Sequence, residues 1–131
     1  MLPPAHRLRR PSDFRTTVRQ GLRAGSSTMV VHMLPGSDEP GSVVVPRFGF
    51  VVSRAVGNAV QRNLVKRRLR ASAREHLDAC PSRARVVVRA LPGAAAADYA
   101  ELDRDLARNL ARASSRVDAR QSTATVAGEG R

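Results

Sequence analysis

Apolar residues recur along this chain with two periods. Residues 28–34 alternate, with Met29, Val31 and Met33 on one side and Thr28, Val30 and His32 on the other. That period of two predicts a half-buried strand. A second run, 43–53, sharpens its alternation from Arg47: Phe48, Phe50 and Val52 share one face, and Arg47, Gly49, Val51 and Ser53 share the other. The Phe face is expected to pack under a helix, and the small-residue face to leave room for a ligand backbone. Pro46 places the start of this run at an edge or bulge, so 43–45 can stand as a separate strand. A third run, 83–91, carries Val86, Val87 and Val88 between arginines and is broken by Pro92-Gly93.

The helical period governs the other segments. A short helix is predicted at 13–20, with Ser12 as N-cap, Asp13 in the first turn and Gly21 as terminator. Phe14 and Val18 lie on one of its faces, Arg15 and Arg19 on another. Gly57-Asn58 marks the turn into a long helix over 58–77. There Val65, Leu69, Ala73 and His76 make one stripe, and Val60, Leu64 and Ala71 a weaker one. Side-chain bulk assigns the first stripe to the core. A last helix is predicted at 94–115, with Tyr99, Leu102, Leu106 and Leu110 facing inward. Residues 21–27 read as turn, and 35–42 (PGSDEPGS) as loop. These elements give an α/β (α+β) two-layer sandwich in the order α-β-β-β-α-β-α. One domain covers 1–117; its residues 1–11 form an extended, Pro-broken basic arm, and 118–131 form a disordered tail.

Charge sharpens this picture. The net charge is +12, which points to a polyanionic partner. The charge concentrates in the long helix and the turn before it: Arg54, Arg62, Lys66, Arg67, Arg68, Arg70 and Arg74 occur with no acidic residue between them. Such a helix lacks the i,i+4 acid–base pairs of a solvated one, so its counter-charge is expected outside the protein. Arg62, Lys66, Arg70 and Arg74 form a stripe at i,i+4 spacing, flanked by Asn63 and Arg67. Lys66 is the only lysine, an imbalance that a GC-rich genome explains as well as RNA binding does.

Catalytic constellations are not visible. His6, His32 and His76 are scattered, and Cys80 is alone, which excludes a disulfide within the chain. Asp98, Glu101 and Asp105 share a helical face, but Arg104, Arg108 and Arg112 follow at salt-bridge spacing and suggest an ion-paired surface. No catalytic residue and no metal ligand is assigned. No apolar run approaches a membrane span and no apolar leader is present, so the expected location is the cytoplasm. Aromatic residues are too few for extensive base stacking, which favours a groove that follows a single-stranded backbone. Size and charge alone equally permit a structural ribosomal RNA-binding protein. A protein-only endonuclease is a further rival.

The run RFGFVVSRAVGNAVQRNLVKRRLR closely resembles the signature of the bacterial ribonuclease P protein component. In that family a strand ending in Ser-Lys/Arg leads through Gly-Asn-Ala to Arg-Asn-Arg-x-Lys-Arg. HRLRRPSDF, with Gly21 and Ala24-Gly25 beyond it, resembles the family's opening segment, and the likeness spans about residues 6–115. It implies the small basic subunit of a ribozyme that removes the 5′ leader from precursor tRNA, with the chemistry and most of the Mg²⁺ held by the RNA subunit. The implied partners are that RNA and precursor tRNA, with no membrane and no obligatory protein partner. The implied fold carries a left-handed βαβ crossover, against the general rule. By match to the family motif, Arg54, Asn58, Arg62, Asn63, Lys66, Arg67 and Arg70 are RNA-binding, and Phe14, Val18 and His32 belong to the leader cleft. Leu64 departs from the motif, which has its second arginine there. Val18 and His32 stand at positions often aromatic.

Overall fold

The computed structural model describes residues 2–36 and 45–129, with side chains as far as residue 120. Helix α1 spans Pro11–Gln20, followed by strands β1 (Leu22–Gly25), β2 (Met29–Leu34) and β3 (Arg47–Val51). Helix α2 (Ala59–Glu75), strand β4 (Arg85–Ala90) and helix α3 (Tyr99–Glu129) complete the order. The sheet runs β1-β2-β4-β3. Its first two pairings are antiparallel and β4–β3 is parallel, so the sheet is mixed. A parallel pair needs a long crossover, and α2 supplies it. No helix among the described residues is long and apolar enough to cross a membrane.

The expected element order holds, but the extra strand is β1 within 21–27, where a turn is predicted. Val45 sits at a bend, and 43–44 lie outside the described residues. Four residues are too short to announce a strand by alternation. Gly21 makes the sharp exit from α1 possible: a Cβ there would sit 2.3 Å from the Thr17 carbonyl oxygen. Helix α1 itself starts earlier than 13. Its N-cap is Arg10, without a side-chain cap bond, and Pro11 opens it. The ring's preset φ suits the first helical turn better than the Ser12 hydroxyl does.

Register sorts the sheet into two faces. Leu22, Ala24, Val31, Met33, Val86, Val88 and Phe48 face α2 and α3 and form the main core. Val65, Leu69 and Ala73 of α2 are at most 1 % exposed, as expected. Leu102, Leu106 and Leu110 of α3 are fully buried, each worth about 1.5–3 kcal/mol. Tyr99, expected beside them, is 39 % exposed, and Val117 closes the stripe instead. Helix α1 lies on the opposite face, against β2 and β4. That is why β2, expected to be half-buried, is buried on both sides except at Val30.

Three polar assignments change. His76, expected in the core stripe, instead meets Asp103 Oδ1 at 2.9 Å, and the Ser72 hydroxyl donates to the same oxygen at 2.7 Å. Ser72 first, and His76 after it, hold the Asp103 carboxyl below its usual range. Asp105 is not on an ion-paired surface. It is buried and accepts from the Thr28 hydroxyl at 2.6 Å, tying the β1–β2 turn to α3. Asp98 accepts from the Glu101 amide and caps the first turn of α3.

Both chain ends are more structured than composition suggests. The arm, expected to be extended, packs: Leu2 and Leu8 are buried, and the Leu8 amide donates to the Phe48 carbonyl at 2.8 Å. It thereby covers the free edge of β3. Residues 118–129, expected to be disordered, continue α3. No Pro or Gly interrupts that run before Gly128, so nothing in it stops the helix.

Candidate RNA interface

Helix α2 is aimed by its first turn. Asn58 Oδ1 accepts from the Gln61 amide and the Asn58 amide donates to Gln61 Oε1, both at 2.9 Å. This reciprocal pair is a capping box. Gly57 leaves room for it, because a Cβ at 57 would lie 2.2 Å from Gln61 Oε1. The Asn58 side chain is therefore engaged in holding the helix start. Arg54 is exposed in the turn that precedes it.

With Val65 and Leu69 buried, the weaker apolar line faces outward: Val60 is 78 % and Leu64 37 % exposed. Asn63 and Arg67 are exposed beside it, and Arg62, Lys66 and Arg70 are half-buried along the flank. Among the described residues the ion pairs are His76–Asp103 and Arg85–Asp13, and neither involves these cations. Arg68 differs from its neighbours, since its guanidinium donates to the Ala97 carbonyl at 2.9 Å and braces α2 against the segment before α3. The outward face of α2 thus carries uncompensated positive charge with two apolar side chains set into it.

A second region lies on the far side of the sheet. The Phe14 ring of α1 rests on Gly49: a Cβ at 49 would sit 2.3 Å from the ring. The small-residue face of β3, expected to be open to a ligand, is at this point filled by the chain's own Phe14. Beyond the ring a groove of about 380 Å³ opens between α1 and the sheet. Phe14 and Val18 line it with Val51, while Arg15, Arg19 and Arg89 supply charge. An apolar floor with guanidinium edges suits a chain that has flat bases and a charged backbone. Val51 and Arg89 are register partners from strands distant in sequence, so sequence patterning alone does not bring them together.

His32 does not line this groove. It pairs in register with Arg23 and Val87, is 3 % exposed, and neither ring nitrogen has a partner among the described residues. Burial first, and then the charges of Arg89 and Arg23, lower its pKa, so the ring is neutral near pH 7. Phe14 and Val18 both line the groove.

The groove and the α2 face are connected. On the other side of Phe14 a smaller hollow of about 120 Å³ is lined by Arg7, Phe14, Gly49, Phe50 and Arg70, among others. Arg70 of α2 and Phe14 of α1 therefore face the same space. Among the described residues no group of three His, Cys, Asp or Glu side chains is placed to hold a metal ion. Burial pushes the Cys80 thiol up to about 12, leaving it a poor nucleophile.

The family model for ribonuclease P matches residues 2–114. The ribonuclease P protein component of a Nocardioides species is 58 % identical over 117 residues, covering 89 % of this chain and 98 % of that one. That of Streptomyces griseus is 53 % identical over 116 residues, covering 86 % and 94 %. Among solved structures, the RNase P protein from Thermotoga maritima aligns with a TM-score of 0.70 and 25 % identity over 81 % of this chain and 96 % of that one. The Staphylococcus aureus RNase P protein shares the fold, with a TM-score of 0.70 over 80 % of this chain. On these matches, with a mixed four-stranded sheet and three helices to support them, the chain belongs to the ribonuclease P protein family and is the protein subunit of an RNase P ribonucleoprotein enzyme.

Proposed function

We propose that the protein serves the removal of the 5′ leader from precursor tRNA by holding two RNAs at once. The outward face of α2, with Arg62, Asn63, Lys66, Arg67 and Arg70, docks on the RNA subunit. Arg54 lies in the turn before that face and extends it. The groove between α1 and the sheet receives the single-stranded leader, with Phe14 and Val18 against bases and Arg15, Arg19 and Arg89 near phosphates. The chemistry resides in the RNA subunit, whose own phosphates hold Mg²⁺. Neutralising backbone charge allows the RNAs to approach and lowers the Mg²⁺ concentration needed for cleavage.

One observation carries this reading. Arg70 and Phe14 line a common hollow, so a cationic face built for one RNA meets a groove built for another. The test is reconstitution with the cognate RNA subunit and a precursor tRNA at low Mg²⁺. Protein plus RNA subunit is expected to cleave where neither alone does. No stimulation by the protein would refute the reading, and cleavage by protein without RNA would replace it with a protein nuclease.

A further inference from the structure

A third hollow extends the other two. It measures about 360 Å³ and is walled by Pro4, Ala5, Arg7, Arg9, Arg10 and Arg47. Arg7 also lines the small hollow, and Phe14 lines both that hollow and the groove. Consecutive spaces thus share a side chain, from Arg89 at one end to Arg9 and Arg10 at the other.

Four guanidinium groups wall this hollow, and among the described residues no carboxylate does. Two of the arginines are held in place. Arg7 Nε donates to the Leu2 carbonyl at 2.9 Å, and the Arg47 amide donates to the Ala84 carbonyl at 2.9 Å as β3 begins. The carboxylate nearest in sequence, Asp13, is turned towards Arg85 at 3.9 Å. Among the described residues the side chains of Arg9, Arg10 and Arg47 have no hydrogen-bond or ion-pair partner. Four like charges around one small space raise its potential until an anion enters. Guanidinium forks match phosphate oxygens two at a time. A double helix is far too wide for the connecting space of about 120 Å³, whereas one strand is not.

We infer that this hollow binds phosphodiester groups of single-stranded RNA that has run past Phe14, so that the packed N-terminal arm lengthens the leader track. The inference rests on the leader reading of the groove. It assigns Arg9, Arg10 and Arg47 to the interface and gives the buried Leu2 and Leu8 a purpose, since they hold the arm where its arginines can act.

The experiment uses fluorescently labelled oligouridylates of increasing length, with binding followed by anisotropy at several salt concentrations. The full-length protein is compared with the double variant Arg10→Gln/Arg47→Gln, and circular dichroism checks that the variant is folded. Arg7 is left alone because it anchors Leu2. The natural protein should gain affinity with length until both spaces are filled. The variant should match it on the shortest oligomers and lose roughly tenfold on the longest. Its log-log salt slope there should be flatter by roughly 0.7 for each phosphate that is no longer neutralised. Equal binding by the two proteins at every length overturns the inference and leaves the groove reading standing. Equal losses at every length overturn it too, because they show a general charge effect. A loss seen only with the structured RNA subunit assigns the hollow to that RNA instead. If the natural protein binds no oligomer, the groove reading fails and this inference with it.

Discussion

Replacing Gly49 with alanine tests the seat of Phe14. The new Cβ would lie 2.3 and 2.4 Å from two ring carbons, against about 3.5–4.0 Å for a normal carbon contact. The ring must therefore withdraw by more than about 1 Å. It is the far end of a side chain with rotational freedom, so it can leave at the cost of an off-rotamer angle, about 0.5–1.5 kcal/mol. Residual overpacking raises the total to roughly 1–3 kcal/mol. At about 4 °C per kcal/mol for a domain of this size, Tm should fall by roughly 4–12 °C. The displaced ring also changes the wall between groove and hollow. Weaker stacking on a base, by about 1–3 kcal/mol, reduces oligonucleotide affinity at least fivefold. Thermal melts and anisotropy measure the two effects. The decisive comparison repeats Gly49→Ala in a Phe14→Ala background, where its stability cost should nearly vanish. An equal cost in both backgrounds would show that the ring does not rest on Gly49, and the geometry assigned to the groove would be wrong.

Other substitutions separate binding from folding. Lys66→Ala and Arg67→Ala should each flatten the log-log salt dependence of RNA-subunit binding by about 0.7–0.9, with melting unchanged. Arg68→Ala should do the reverse, lowering Tm while leaving the slope intact, because Arg68 holds the Ala97 carbonyl. Asn58→Ala removes the capping pair and should cost about 0.5–2 kcal/mol in a denaturant titration, while Asn58→Asp recovers most of it. The pKa of His32 in the folded state lies below 6.5, so as pH falls through that window the unfolded chain takes up a proton that the folded chain refuses. His32 should therefore erode stability progressively from about pH 7 downward. Melts from about pH 8 down to about pH 5 should show the natural protein losing more than His32→Leu, and parallel curves would contradict this.

The helices and the cationic stripe are legible in the sequence because their signals are local. Val65 and Leu69 repeat at the helical period, and the absence of acids beside Arg62, Lys66 and Arg70 can be counted along the chain. The groove is only half legible. Phe14 and Val18 belong to one helix and stand together by spacing, but Val51 and Arg89 meet them through strand pairing across 38 residues of sequence. Alternation sets His32 on the face opposite Val31 and Met33, and the register agrees; its place in the cleft rests on the family motif alone, and the ring is buried without lining the groove. In the arm, Pro3, Pro4 and the charged residues around them mask two leucines, and only the edge of β3 shows why Leu2 and Leu8 are buried. His76 satisfies the helical period, but its hydrogen bond to Asp103 decides its outcome, and Tyr99 satisfies the period at the exposed first turn of α3.

The order of strands also sets a timetable for the nascent chain. The seam of the sheet is β4, which joins the β1–β2 pair to β3, yet it is the last strand to be synthesised. Until Ala90 is available, β2 and β3 share no neighbour and the Phe48 face has no sheet to complete. The basic helix is made before that seam exists. It therefore meets its surroundings while the sheet that anchors it is incomplete, with its charge already in place. Closure depends on pairings distant in sequence, which makes folding slow and late. A ligand that prefers the finished fold to the incomplete one would pull this late step forward by mass action.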